Sequence, residues 1–266
     1  MNFFDLFKKN PKNAEDAKNN VESHKNVDPK PAPPAPKDGK AHIYNLIIVD
    51  ESGSMGRLRN ATLSGVNETI NTIRQAQQEF ADKQSHFLTL VTFDSSSFNR
   101  ESVRIHVDAK PIREVADFED YRPCGGTPLF DAMGMSITRL HETVKNDEDA
   151  TAIVTVMTDG MENSSREYSG RQIKALIEQL KEEGWTFNYM GSAHDVKSVC
   201  VELSIDNEVE FSHDEAGTDE TWRKERMSKK RMFEKMNLDW ETMKDKSYEE
   251  KREYRKRNSK GYFDGI

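Results

Sequence analysis

Short apolar runs punctuate the chain at about 43–49, 86–93, 152–157, 185–190 and 208–211, each bounded by polar or small residues. Runs of that length read as buried strands. The stretches between them, at about 57–79, 128–145, 170–183 and 194–203, carry apolar residues at helical spacing. In the third, Ile173, Leu176, Ile177 and Leu180 share one face. Strand and helix in alternation predict βαβ units and an α/β fold, in which a doubly wound, mostly parallel central sheet has helices on both faces. Residues Ser102–Lys110 depart from this pattern. Val103, Ile105 and Val107 alternate with polar residues a short loop after the 86–93 run, which predicts one antiparallel edge strand in a hairpin. After the last run, Asp214–Met236 reads as a helix with acids early and bases late, and with Trp222, Met227 and Met232 or Phe233 available to pack.

Composition divides the chain into three parts. Of 266 residues, 35% are hydrophobic and 32% charged, enough for one good core with polar additions. Residues 1–41 hold five of the nine prolines between Pro29 and Pro36, a composition that favours an extended linker. Ahead of it, Phe3, Phe4, Leu6 and Phe7 are spaced for one apolar face of a short helix, which reads as a docking peptide, a weak membrane anchor or a frayed terminus. Residues 42–211 contain the strand–helix alternation. Residues 212–266 are a charged helical extension with 15 Lys+Arg against 13 Asp+Glu, basic beside a whole chain of net charge −8. No apolar run approaches the roughly 20 residues a bilayer crossing needs. The N-terminus lacks the pattern of a secretory signal, so a cytoplasmic protein is expected. Cys124 and Cys200 stand far apart without a metal-spaced companion, which argues against zinc and against a disulfide framework.

In a doubly wound sheet, ligands bind beyond the carboxyl ends of the strands. The residues that follow the runs are therefore the candidates for chemistry. After the first run come Asp50, Ser52 and Ser54 in "DESGSM"; before the second helix comes Thr127 in "CGGTP"; after the 152–157 run comes Asp159 in "TDG". All five side chains offer hard oxygen, the donor set of Mg²⁺ or Mn²⁺. On an extended turn alternate residues point the same way, so Asp50, Ser52 and Ser54 can converge. Two carboxylates just neutralise a divalent ion. Where one of them acts through water, a position stays open for an external carboxylate.

"DESGSM", "GGTPLFDA" and "VMTDG" resemble, in order and spacing, the three segments of the metal-ion-dependent adhesion site of von Willebrand factor A domains. The resemblance covers about 42–211 and implies that Asp50, Ser52, Ser54, Thr127 and Asp159 hold the metal. It further implies a non-catalytic module that binds an acidic residue of a partner protein. Within the family the chain looks similar to the intracellular bacterial branch associated with tellurite resistance and other stress systems.

Other readings of the same residues exist. Ser54 and Thr127, with Pro128 after it, suit helix N-caps. "SGSMG" is a near miss to the nucleophile elbow, and Ser54, Asp159 and His194 follow in the chain order of an α/β-hydrolase triad. Ser52, however, stands where the elbow needs glycine. The basic run Lys251–Lys260 can neutralise nucleic-acid phosphates, but Glu249 and Glu250 lie at helical spacing to pair with its arginines.

Overall fold

The computed structural model describes residues 38–96, 101–192 and 196–266; the N-terminal peptide, most of the proline-rich linker and His194 lie outside them. β1 (Ala41–Asp50) runs through the middle of a six-stranded sheet. Around it stand β2 (Gln84–Phe93), β3 (Val103–Pro111), β4 (Ala150–Thr158), β5 (Thr186–Gly191) and β6 (Asn207–Glu210), in the order β3-β2-β1-β4-β5-β6. All neighbours are parallel except β2 and β3, which form the expected antiparallel edge. β1 is buried along its whole length, because helices cover both faces.

The helices are α1 (Arg59–Glu79), α2 (Leu129–Val144), α3 (Gly170–Glu182), α4 (Val196–Leu203), α5 (Glu215–Met243) and α6 (Tyr248–Asn258). Capping boxes start two of them, Ser169 with Gln172 at α3 and Ser247 with Glu250 at α6. Asp214 caps α5 by accepting the Gly217 N–H at 2.7 Å. Ile43, Ile47 and Val49 of β1 pack with Val66, Ile70 and Ile73 of α1 and with Trp222 and Phe233 of α5 in one core layer. Leu46 and Ile48 alternate to the other face.

The charged C-terminal residues thus contribute Trp222, Phe233 and Tyr262 to the core. α5 also carries a wholly buried ion pair, with Lys229 Nζ 3.1 Å from Glu225 Oε1. Thr155 donates to the same oxygen at 2.7 Å, and Lys229 donates to Asn45 Oδ1 at 3.4 Å. Removing one member of such a pair strands the other charge in the core, so the pair fixes the register of α5 on the sheet. At the far end of the strand, Gln84 Nε2 donates to the Phe233 carbonyl at 2.8 Å.

Two packing expectations need correction. Met227 is 46% exposed, because α5 turns Trp222 and Phe233 inward and leaves Met227 on the solvent side. Ile105 is 41% exposed, although the alternation puts it beside buried Val103. The β2–β3 pairing keeps one register from Val103 through Ile105 and shifts only beyond it, between Ile105 and Val107 and again before Lys110. The basic positions of α6 turn to acidic or carbonyl partners: Lys251 to Asp149, Arg252 to Glu249, Lys256 to Glu182 and Arg255 to the Glu148 carbonyl. Among the described residues no helix is long and apolar enough to cross a membrane, and Cys124 and Cys200 are free thiols.

At the amino end of β1 the buried His42 ring lies between two acids, Nδ1 2.7 Å from Asp147 and Nε2 2.8 Å from Asp38. Burial alone lowers its pKa, but the bonds to Asp147 and then Asp38 outweigh burial and hold it above the ordinary 6.5. A histidine raised on folding stabilises fully below the unfolded-state value, and that contribution is lost as pH rises through the folded value. Wild type is therefore expected to exceed His42→Gln in denaturation free energy most at about pH 6, with the gap narrowing toward about pH 9. A gap that does not change with pH refutes this account of the ring.

Candidate metal centre

The strand order reverses at the β1–β4 boundary, and there the chain leaves both strands at their carboxyl ends. Asp50 is the last residue of β1 and has no solvent exposure. Its Oδ1 accepts the Ser52 N–H at 2.7 Å, and its Oδ2 accepts the Thr158 hydroxyl at 2.6 Å. The Tyr121 hydroxyl donates to the Asp50 carbonyl at 2.6 Å. Burial pushes the Asp50 carboxyl up to about 7, against the lowering bonds from Thr158 and Ser52, and the charge of Asp159 adds to the rise.

The next residues form a 3₁₀ turn, Gly53–Leu58, before α1 begins. Ser52 Oγ and Ser54 Oγ lie 3.1 Å apart, and Ser54 donates to Asp159 Oδ1 at 2.6 Å. The second segment joins through the backbone, the Gly53 N–H donating to the Gly125 carbonyl at 3.0 Å. Gly125 has φ +73°, and a Cβ there would stand 2.5 Å from the Ser96 nitrogen, so only glycine fits. Thr127 is buried, and its N–H donates to Asn163 Oδ1 at 2.9 Å. A Cβ on Gly160 would lie 3.2 Å from Thr127 Oγ1, which places that hydroxyl beside the residue that follows Asp159. The three segments therefore meet: the side chains of Ser52, Ser54 and Asp159 are linked, Asp50 leads into them at the end of β1, and Thr127 Oγ1 stands beside Gly160.

Neither hydroxyl acts as a helix cap. The residue before α2 is Pro128, with no side-chain cap bond, and the 3₁₀ turn has none at Ser52. Ser54 is solvent-exposed and directed to Asp159. In a hydrolase triad an imidazole would stand between serine and carboxylate, whereas here the two bond directly. A fluorophosphonate probe is therefore expected to leave Ser54 unlabelled. Stoichiometric labelling lost in Ser54→Ala would reverse that conclusion.

Several contributors carry no signal in the motif itself. Glu51 is fully buried and accepts from the Arg104 guanidinium and the Arg122 N–H, while the Cys124 N–H donates to its carbonyl at 2.7 Å. Asp131 on α2 accepts three N–H groups, from Arg166, Glu167 and Tyr168, and so ties the loop after β4 to the helix after Thr127. His213, from the β6–α5 loop, places Nε2 3.1 Å from Asp159 Oδ2. The rule that selects Asp50 and Asp159, polar residues just past a strand, could have found it.

The donor set fits a hard divalent cation. Asp50 and Asp159 are two buried carboxylates in reach of each other's field, and Asp159 Oδ2 accepts no hydrogen bond. Buried like charges are stable only when paired, and a cation supplies the pairing. Among the described residues no cluster of three or more His, Cys, Asp or Glu could hold a metal, so the serine and threonine hydroxyls are indispensable to any such centre.

No protein-family model matches the sequence, and neither does any curated protein. Solved structures do resemble it in shape. The pilus adhesin SpaC from Lactobacillus rhamnosus GG superposes with a TM-score of 0.56 at 12% identity, over 72% of this chain and 30% of the adhesin. The likeness is one of fold. Structures described as von Willebrand A domains also match: the domain of SpRpn10 at a TM-score of 0.49 and 10% identity, over 70% of this chain and 94% of that one. A von Willebrand factor type A protein from Catenulispora acidiphila matches at 0.49 and 15% identity, over 71% and 42%. The chain thus spans less than a third of the adhesin and under half of the Catenulispora protein.

Proposed function

We propose that this chain is a von Willebrand A-type interaction module, non-catalytic, that binds an acidic side chain of a partner protein through Mg²⁺ or Mn²⁺ held by Asp50, Ser52, Ser54, Thr127 and Asp159. The observation that carries the reading is the convergence of the three segments at the switch point, where Ser54 bonds Asp159 across 105 positions of sequence. When bound, the cation supplies a Lewis-acidic position that an external carboxylate can fill. The residues around it have separate tasks. Thr158 and the Ser52 N–H hold both Asp50 oxygens in place. Asn163 holds the Thr127 backbone, and exposed Ser54 keeps the centre open to a ligand from outside.

The resemblance of the motif to intracellular bacterial relatives supports placing the module in the cytoplasm, in a stress or signalling complex. Affinity capture from native cytosol tests partner and metal together. A retained protein is expected that chelator releases and that Asp159→Ala fails to hold. Retention indifferent to chelator rejects the proposed mode of binding.

A further inference from the structure

His213 comes from a fourth loop and meets the other carboxylate oxygen of Asp159. Ser54 bonds Oδ1, whereas His213 Nε2 faces Oδ2 at 3.1 Å. Both Nε2 and Oδ2 are withdrawn from water, and apart from this mutual ion-pair contact neither makes a hydrogen bond. Leaving a buried polar atom unsatisfied costs roughly 1–3 kcal/mol, and here two such atoms stand face to face. Although 3.1 Å is within hydrogen-bonding range, no bond forms, so the donor axis of the ring passes to one side of the carboxylate oxygen. A cation bound by both atoms would satisfy the two at once.

The spacing also suits a metal. Two donors on adjacent corners of an octahedron, each roughly 2.0–2.2 Å from the ion, lie about 2.8–3.1 Å apart. Ser52 Oγ and Ser54 Oγ have the same separation of 3.1 Å. We propose that His213 Nε2 is a nitrogen ligand of the cation beside Asp159, with Asp50 acting through water because Ser52 and Thr158 take both its oxygens, and gives the centre a preference for Mn²⁺ over Mg²⁺. This rests on the metal-binding reading above and adds a ligand and a selectivity to it. The physical reason is donor type: Mg²⁺ takes oxygen and gives up its waters reluctantly, whereas Mn²⁺, also at home among oxygens, is a first-row transition ion that accepts an imidazole nitrogen more readily. A neutral imidazole also leaves the charge balance of two carboxylates and one divalent ion unchanged.

The test uses the full chain, stripped with chelator and loaded with Mn²⁺ as the probe. Pulsed electron paramagnetic resonance of the bound ion is expected to show coupling to a directly bound nitrogen. His213→Gln is expected to remove that coupling and to weaken Mn²⁺ about 10- to 100-fold, with Mg²⁺ affinity held within about threefold. Bound Mn²⁺ with an oxygen-only spectrum in the wild type overturns the proposal even if the variant misfolds. A nitrogen signal that survives in a folded His213→Gln or His213→Asn overturns it as well. Failure of the wild type to bind Mn²⁺ at all defeats the metal-centre reading itself, which separates the two.

Discussion

Gly65→Ala is expected to destabilise the protein by about 3 kcal/mol or more, the upper range for overpacking a core. Gly65 sits on α1 where α5 crosses it. A Cβ there would lie 2.1 Å from Trp222 Cγ and 2.3 Å from Cδ1, and the ring is fully buried with no room to retreat. The clash pries α5 from the sheet and strains the buried pair of Lys229 and Glu225 with it. Urea denaturation gives the measurement, and Trp222→Leu gives the control. Because the leucine vacates the ring's volume, the double variant should lose less than the sum of the two single losses. An unchanged midpoint for Gly65→Ala would mean that α5 packs elsewhere.

The second large effect concerns the metal. At a concentration about 1,000 times Kd, a ligand that binds only the folded state adds about 4 kcal/mol. Wild type is expected to gain stability of that order with saturating Mn²⁺. Asp159→Ala and Asp50→Asn should gain none, while both remain folded by circular dichroism. Without metal, Asp50→Asn should be at least as stable as wild type. The amide still accepts from Ser52, and it replaces a carboxyl that burial has driven up to about 7 and that resists ionising. Equal metal stabilisation of wild type and both variants would remove Asp50 and Asp159 from the centre.

The architecture was legible because its signal is periodic. Buried parallel strands must be apolar on both faces, so β1, β2, β4 and β5 stood out as runs, and the antiparallel edge showed as alternation. Asp50, Thr127 and Asp159 were legible because each follows such a run or precedes a helix at a carboxyl end of the sheet. What escaped has no period. His213 lies in the polar loop past the short β6, where the same rule applies, but its partner Asp159 is set by the fold. Lys229 and Glu225 read as ordinary solvated charges, since their burial depends on which face of α5 meets the sheet. The 3₁₀ turn ahead of α1 hides behind the same spacing that marks the helix.

The place of α5 in the core has a consequence for synthesis. β1 leaves the ribosome early, but the helix that covers its Ile43 and Ile47 face follows late, and Lys229 meets Asn45 across 184 positions. At about 5–20 residues per second, the nascent chain carries that bare face for several seconds or longer before α5 emerges. During this interval an apolar sheet face is open to other chains, the condition in which nascent chains aggregate or engage chaperones. A version ended near residue 211 would make the interval permanent. It is expected to accumulate as insoluble material, with the strands synthesised but the layer that seals them missing.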